Sequence, residues 1–193
     1  MFHQKTDSRA ALFLADGCEE IEALTVADIL YRAGIPCTKV SINDTVKVTS
    51  SHEVTILADT VVSRLNFEDY DVLVLPGGIP GTPNLAACKP LTDAVTSFSA
   101  RGSEGKIVAA ICAAPSILGD LGLLKGKHAT ANPSFMQAIG DRGANVSTQK
   151  VVVDGNLITS RAMGTAIPFA LTIVQVLLDA DTARKLGEDI LYL

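Results

Sequence analysis

The chain has 193 residues, 48% of them hydrophobic, and a formal net charge of −5. This length and apolar content supply one hydrophobic core but leave no room for two ordinary domains. The negative net charge argues against nucleic acid or an anionic membrane as a partner, because such partners bind to a basic protein surface. Apolar runs are short and the N-terminus lacks the apolar segment of a secretion signal, so we expect a cytoplasmic protein without a membrane span.

Strand and helix patterns alternate along the chain, which predicts a mainly parallel sheet covered by helices on both faces. We expect residues 1–9 to form a flexible tail and residues 10–193 to form a single domain. The predicted elements are, in order, strand 11–15, helix 20–33 capped by Gly34, strand 37–41, a hairpin of 46–48 and 53–57, strand 71–75, helix 89–101, strand 106–111, strand 129–131, helix 134–139, a β pair of 145–153 and 157–160 that turns at 154–155, and helices 165–178 and 180–190.

A cysteine stands where a buried strand meets a helix. In the run AAICAAP at residues 109–115, Cys112 follows an apolar strand, and Pro115 falls in the first helical turn, where its missing N–H costs nothing. A helix N-terminus favours the thiolate, the reactive form of cysteine. We expect Cys112 to adopt the strained backbone of a nucleophile elbow. A buried, inert cysteine is the alternative, and the junction alone does not decide between them.

Two other strand ends carry groups that suit a reactive cysteine. The strand in VLVLPGG, residues 72–78, ends in a glycine pair whose N–H groups can face an anion. The first strand is followed by EEIE at residues 19–22, although three carboxylates at a helix start also simply complement its dipole. Because parallel strands end at one edge of a sheet, Cys112, the glycine pair and one glutamate are expected to converge.

These motifs, together with TSR at 159–161 and GTA at 164–166, resemble the ThiJ/PfpI family (the DJ-1 superfamily), and within it the YajL/DJ-1 branch. The resemblance runs from about Ala10 to the last helix. It implies a flavodoxin-like three-layer sandwich, a class I glutamine amidotransferase-like domain that is usually a homodimer, with Cys112 as the reactive cysteine. Glu22 matches the glutamate that hydrogen-bonds the sulfur when protonated. The oxyanion donors match backbone N–H groups at Gly78 and Ala113, beside Gly77.

The chain departs from the family pattern at two positions. Members that convert glyoxals commonly carry a histidine before a proline where this chain has Asn132 and Pro133. Asn132 cannot act as a general base, but it can hydrogen-bond a ligand. His52 stands where the family's closest members have an arginine near the dimer interface and the pocket mouth. The resemblance therefore places five residues around the pocket: Asn132, Pro133, Arg161, His52 and Arg32.

Three functions compete. The first is an enzyme for small reactive carbonyls, a glyoxalase III or deglycase-like activity, in which Cys112 forms a hemithioacetal and Glu22 moves the proton. The second is a redox sensor or oxidative-stress chaperone, in which an oxidant converts Cys112 to a sulfenic or sulfinic acid. The third, a cysteine hydrolase or glutamine amidotransferase, is the weakest, because no downstream histidine has an acidic neighbour to complete a triad.

Partners and cofactors follow from the same residues. The cysteines Cys18, Cys37, Cys88 and Cys112 show no metal-binding spacing and are expected to be free thiols. No histidine lies at ligand spacing from a cysteine or an acid, so we expect neither metal nor cofactor. We expect a homodimer formed through Ile21, Leu24 and Val26 of the first long helix. Within EEIE, Glu22 is expected to be buried with a raised pKa, and its two neighbouring glutamates to face solvent.

Overall fold

Strands and helices alternate along residues 2–193, the part of the chain that the computed structural model describes; Met1, the first residue of the expected tail, lies outside it. The strands are β1 Ala10–Leu14, β2 Cys37–Ser41, β3 Lys47–Thr49, β4 Thr55–Leu57, β5 Thr60–Val61, β6 Val72–Leu75, β7 Ile107–Ile111, β8 His128–Ala129, β9 Asn145–Val146, β10 Val151–Asp154 and β11 Leu157–Ser160. The helices are α1 Glu20–Ala33, α2 Gly81–Ala87, α3 Lys89–Ala100, α4 Pro115–Asp120, α5 Pro133–Asp141, α6 Ala166–Leu177 and α7 Ala180–Asp189.

Seven strands form the central sheet, in the order β10-β11-β7-β6-β1-β2-β5. All neighbouring pairs are parallel except the edge pair of β10 and β11. Strands β1, β6 and β7 are buried along their whole length. Continuous burial is expected of parallel strands that helices cover on both faces. The α/β fold with a mainly parallel sheet is therefore confirmed.

Alternate residues of the central strands feed two separate cores. On one face, Leu12 and Val74 pack with the buried sides of α1, α6 and α7. On the other face, Phe13 and Leu75 pack with residues of α3, α4 and α5. This division follows from the two-residue period of a strand, which sends successive side chains to opposite faces. In residues 2–193, no helix combines the length and the apolar character needed to cross a bilayer.

Helix α1 has the predicted bounds and the predicted cap. Gly34 adopts a left-handed conformation with φ of +77°, and its N–H donates to the carbonyls of Leu30 and Tyr31. The expected contact surface of α1 needs one correction. Ile21 and Leu24 are 46% and 40% exposed, but Val26 is fully buried, because it lies on the face of the helix that packs against the sheet. Only the first two can contact a partner.

Three short elements differ from the sequence-based prediction. Helix α2 and strand β5 were not expected, because α2 contains Pro83 and a single large apolar residue, Leu85, and β5 has only two residues. Residues 145–153 do not form one strand of the β pair. Instead β9 pairs with β8 in a separate two-stranded sheet, and only β10 pairs with β11. Both residues of β9 are exposed, so no burial pattern marks its partner in the sequence.

The expected flexible tail is attached to the domain. Residues 2–9 contain neither helix nor strand. Nevertheless, the Lys5 N–H donates to the Gly34 carbonyl at 2.8 Å, and the Arg9 N–H donates to the Asp71 carboxylate at 3.0 Å. The end of α1 and the residue before β6 supply these acceptors, which the sequence pattern does not reveal.

Candidate active site

Three neighbouring strand ends meet at the carboxyl edge of the sheet. Strands β7, β6 and β1 lie side by side and run in the same direction. The turn after β7 carries Cys112, the turn after β6 carries the pair Gly77 and Gly78, and the turn after β1 leads into α1 with Glu22 in its first turn. The predicted convergence is therefore found.

Cys112 occupies a strained turn between β7 and α4. Its φ is +65°, in the left-handed region that residues other than glycine rarely adopt. Neighbouring segments hold this backbone at both ends: the Cys112 N–H donates to the Ser160 carbonyl at 3.0 Å, and the Asn132 N–H donates to the Cys112 carbonyl at 2.8 Å. The expected elbow geometry is confirmed, and a conformation of this kind costs on the order of 1–3 kcal/mol that the surroundings must offset.

The expected helix N-terminus does not hold the sulfur. Helix α4 begins at Pro115 and has only six residues, with Ala114 as its N-cap, so Cys112 precedes the helix by three positions. The groups that favour a charged sulfur are instead the backbone N–H groups of Ala113 and Gly78, which hydrogen-bond it and act to lower its pKa. Local turn geometry replaces the helix dipole at this site.

Glu22 is a buried carboxyl that faces the sulfur. Glu22 is 1% exposed, its Oε2 accepts the Gly77 N–H at 2.8 Å, and its carboxyl is hydrogen-bonded to Cys112. Burial raises the pKa of Glu22 to about 7, although the Gly77 N–H and the Cys112 hydrogen bond oppose that rise. The expected raised pKa is found, and it arises mainly from desolvation of the charged form.

Cys112 and Glu22 behave as one acid–base pair. Burial and the adjacent Glu22 carboxylate raise the pKa of Cys112 to about 12, opposed by the N–H groups of Ala113 and Gly78. This direction corrects the expectation that position alone favours a thiolate. Two negative charges in contact are disfavoured, so the pair carries at most one near neutral pH. A thiolate therefore forms when Glu22 holds the proton and donates a hydrogen bond to the sulfur.

The two glycines have different roles. The Gly77 N–H is already bound to Glu22, so it is not free to act as an oxyanion donor, and Gly78 remains for that role with Ala113. A Cβ on Gly77 would lie 2.6 Å from the Cys112 Cβ and 2.9 Å from the Glu22 Oε2. Gly78 has a φ of +95°. Both positions need glycine, the first for close approach and the second for its backbone angle.

Asn132 points its amide at the sulfur. The Asn132 Nδ2 lies 3.7 Å from the Cys112 Sγ, while its Oδ1 accepts the Ser134 N–H at 3.1 Å. The second bond caps α5, in which Pro133 takes the first helical position. The cap fixes the amide so that its donor end faces Cys112. A hydrogen-bond donor therefore occupies the place where the family resemblance expects a histidine.

The other three predicted pocket residues bond to groups other than Cys112 and Glu22. Arg32 pairs with Asp28 in the last turn of α1, ten residues and so about 15 Å along the helix from Glu22. The Arg161 guanidinium donates to the Thr148 carbonyl at 3.2 Å. His52 lies in the turn between β3 and β4, and its Nδ1 is 2.9 Å from a carboxylate oxygen of Glu20 at the start of α1. Within one chain, Arg32 is thus separate from the Cys112 site.

The first two glutamates of EEIE do not face solvent, contrary to expectation. Glu19 is 8% exposed and caps α1, because its Oε2 accepts the Glu22 N–H at 2.7 Å. Glu20 is largely buried against His52. The hairpin of β3 and β4 covers this helix start, and the Ser51 N–H donates to the Cys18 carbonyl at 2.8 Å. Glutamate is not among the residues preferred at an N-cap, so the sequence carries no signal for this cap.

One histidine downstream of Cys112 does have an acidic neighbour. His128 Nδ1 lies 3.4 Å from the Asp154 carboxylate, which corrects the sequence-based statement that such a pair is missing. The His128 side chain is exposed at the start of β8, and the side chains hydrogen-bonded to the Cys112 sulfur are Glu22 and Asn132. This pair therefore does not form a triad with the cysteine. All four cysteines are free thiols, as expected.

Comparison with known proteins decides the family. The model of the DJ-1/PfpI family matches residues 8–176, a range that contains all three converging strand ends. This chain belongs to the DJ-1/PfpI family. Among relatives, this DJ-1/PfpI chain is 38% identical to protein dj-1beta of Drosophila melanogaster over 182 residues, which cover 94% of the chain and 96% of that protein. It is 36% identical over 179 residues to DJ-1 homolog A of Arabidopsis thaliana, of whose length it spans only 45%.

Solved structures of DJ-1 proteins share the fold. The structure of oxidized Toxoplasma gondii DJ-1 matches with a TM-score of 0.89 at 35% identity, covering 96% of this chain and 98% of that one. A more distant relative is a Caenorhabditis elegans protein named glutathione-independent glyoxalase DJR-1.2. It is 28% identical over 171 residues, which cover 88% of this DJ-1/PfpI chain and 89% of the relative.

Proposed function

We propose that this protein is a cofactor-independent enzyme of the glyoxalase III or deglycase type, which acts on small reactive carbonyls through Cys112. The observation that carries the proposal is the contact between the Cys112 sulfur and the buried Glu22 carboxyl, flanked by backbone N–H groups of Gly78 and Ala113. A nucleophile, a proton carrier and two oxyanion donors are the parts that addition to a carbonyl requires. The name of the nematode relative supports the same substrate class.

The steps use only groups at this site and one water. With methylglyoxal, the thiolate of Cys112 attacks the aldehyde carbon, and a C–S bond forms while the C=O π electrons move to oxygen. The N–H groups of Gly78 and Ala113 stabilise the resulting alkoxide, and the Glu22 carboxyl protonates it to a hemithioacetal. Glu22, now a carboxylate, removes the proton from the carbon that bears sulfur.

The remaining steps return the cysteine. The enediol formed by proton removal is reprotonated at the neighbouring carbon, which gives a thioester of Cys112. Water then hydrolyses the thioester to lactate and restores the thiol. Methylglyoxal plus water has the composition of lactate, so the sequence needs no external oxidant or reductant. Asn132 donates toward the sulfur but cannot accept its proton, so Glu22 carries the acid–base work alone.

The test is methylglyoxal loss and D-lactate formation by the purified protein, with Cys112→Ser as the matched blank. We expect lactate to appear in proportion to methylglyoxal consumed with the native chain, and neither change with the blank. Equal rates for both proteins would contradict the proposal. Absence of lactate together with peroxide conversion of Cys112 to a sulfinic acid would replace it by the redox-sensor hypothesis.

We further propose that residues 10–193 act as one unit in a cytoplasmic homodimer. Support for the dimer comes from the exposed apolar side chains of Ile21 and Leu24 on the outer face of α1. Support for the compartment comes from the four free cysteines, since reducing compartments keep thiols unpaired.

A further inference from the structure

The start of α1 and the β3–β4 hairpin bring together three potential metal ligands. We infer that Glu19, Glu20 and His52 bind a divalent transition-metal ion of the zinc class. Each residue offers one ligand atom, and these three atoms all lie within 4.8 Å of one another. The closest pair, His52 Nδ1 and Glu20 Oε1, is 2.9 Å apart.

An unpaired oxygen of Glu19 points to a ligand at this place. Its Oε2 accepts the Glu22 N–H, but its Oε1 is buried and has no hydrogen-bond partner among residues 2–193. Buried carboxylate oxygens are normally paired, because burial without a partner carries a desolvation penalty. Neither the cap of α1 nor the proposed chemistry of Cys112 requires this second oxygen. A bound cation would satisfy it and would offset the charge of two adjacent carboxylates.

The donor set selects the class of ion. Two carboxylate oxygens and one imidazole nitrogen suit Zn²⁺ and its neighbours, whereas Ca²⁺ and Mg²⁺ prefer oxygen ligands throughout. Sites with three protein ligands leave one position to water. His52 has a side chain that is 66% exposed, so this site opens to solvent on the side where that water would bind. The sequence hides the site, because His52 lies 32 residues from Glu20 along the chain.

This site adjoins the Cys112 site through Glu19, whose Oε2 accepts the Glu22 N–H, but its ligands take no part in the carbonyl chemistry, and the inference goes beyond the proposed function. Ser50 and Ser51 hold the hairpin that presents His52: the Ser50 Oγ accepts the Val54 N–H at 3.0 Å, and the Ser51 N–H donates to the Cys18 carbonyl. The ligands are therefore supported by a folded turn and a helix start. Failure of metal binding would leave the carbonyl chemistry untouched, and failure of turnover would leave the metal site untouched.

The experiment is calorimetric titration of Zn²⁺ into the full chain carrying Cys112→Ser, so that the reactive thiol cannot supply a ligand. We expect one ion to bind per chain. In that background, Glu20→Gln and His52→Asn each should lower the affinity by about tenfold or more, by comparison with losses at other metal sites. His128→Asn is the matched control, because His128 also pairs with a carboxylate, that of Asp154, but lacks a third ligand. Its affinity should equal that of the parent.

Several outcomes would overturn the inference. They are the absence of Zn²⁺ binding by the parent, equal affinity after His52→Asn, and an equally large loss after His128→Asn. Binding of Mg²⁺ or Ca²⁺ as tight as that of Zn²⁺ would refute the assigned class of ion. Circular dichroism confirms that each variant is folded. As a second readout, Co²⁺ in the native chain should give a visible spectrum without a thiolate charge-transfer band, and such a band would place the ion on a cysteine instead.

Discussion

Glu22 connects the stability of the protein to the chemistry of its cysteine. Its carboxyl lies under the first turn of α1 and is bound to the Gly77 N–H and the Cys112 sulfur. Burial disfavours its charged form, and the pKa of about 7 lies above the value of 4.5 for an ordinary glutamate. The folded state therefore binds this proton more tightly than the unfolded state. That difference makes the role of Glu22 measurable without a substrate.

The first prediction concerns stability against pH. Because the pKa is raised on folding, the contribution of Glu22 is fully present below about pH 4.5 and is lost as pH rises to about 7. Relative to the native chain, Glu22→Gln should gain about 3 kcal/mol in free energy of unfolding between pH 4.5 and pH 8, at about 1.4 kcal/mol per pKa unit. Urea denaturation at both pH values measures this gain. Glu53→Gln, at an exposed position, is the control and should show no gain in free energy of unfolding relative to the native chain. The account would be contradicted if the free energy of unfolding changed with pH in the same way for the native chain and for Glu22→Gln.

The second prediction concerns Asn132. Replacing it by histidine places an imidazole beside the Cys112 sulfur, where a general base can assist proton transfer. We expect kcat/KM for methylglyoxal to rise about tenfold or more, within the range that general bases supply. Asn132→Asp keeps an oxygen that can cap α5 but removes the donor and adds a negative charge near the sulfur. The aspartate variant should therefore be slower than the native chain. Equal rates for all three proteins would show that this position does not act on the cysteine.

At the scale of elements, Gly34 tests how α1 ends. It is the left-handed cap of α1, and a Cβ there would collide with the His3 carbonyl and the Lys5 side chain. Gly122 has nearly the same φ, +75° against +77°, but open space around its Cβ position. Gly34→Ala should therefore lower the free energy of unfolding by about 1 kcal/mol more than Gly122→Ala, with the shared conformational cost cancelled. Chemical denaturation of both variants provides the comparison. Equal losses of stability in the two variants would mean that His3 and Lys5 move away from the added Cβ without lowering the free energy of unfolding.

Sequence periodicity identified the elements that bury a continuous face and missed those that do not. Helix α1 was predicted with its true bounds, because buried positions such as Val26 and Leu30 recur at helical spacing and Gly34 marks the end. Helix α2, strand β5 and strand β9 were missed or assigned to the wrong partner. Their short lengths leave too few residues for a period, and their partners are chosen by tertiary contacts instead.

The candidate site shows the same division. The rule that parallel strands end at one edge placed Cys112, the glycine pair and one glutamate of EEIE together. The family resemblance then selected Glu22 and Gly78 and assigned their roles. The burial of Glu19 and the pairing of Glu20 with His52 were not foreseen. Such contacts depend on how the β3–β4 hairpin folds over α1, and nothing in the local sequence specifies this packing.

At the scale of the whole molecule, the proposed dimer has a direct test. Ile21 and Leu24 are exposed apolar side chains near the start of α1. Light scattering should give about twice the monomer mass of 20.2 kDa for the native chain, and Ile21→Arg combined with Leu24→Arg should give the monomer, because charges at an apolar interface remain unpaired. Val153→Arg, an exposed position on the opposite edge strand β10, should leave the dimer intact. A clean mass near 20.2 kDa for the native chain at micromolar concentration would reject the dimer.

The central claim is that Cys112 is the reactive nucleophile of this protein, and thiol labelling tests it most directly. A brief pulse of iodoacetamide near neutral pH, followed by peptide mass spectrometry, ranks the four free cysteines by rate. Burial raises the pKa of Cys18 to about 11 and the pKa values of Cys37 and Cys112 to about 12, but among these three it is Cys112 that is hydrogen-bonded to a carboxyl able to hold its proton and to two backbone N–H donors. We predict that Cys112 is alkylated first and that Glu22→Gln changes its rate. Earlier labelling of Cys18, Cys37 or Cys88 would contradict the account.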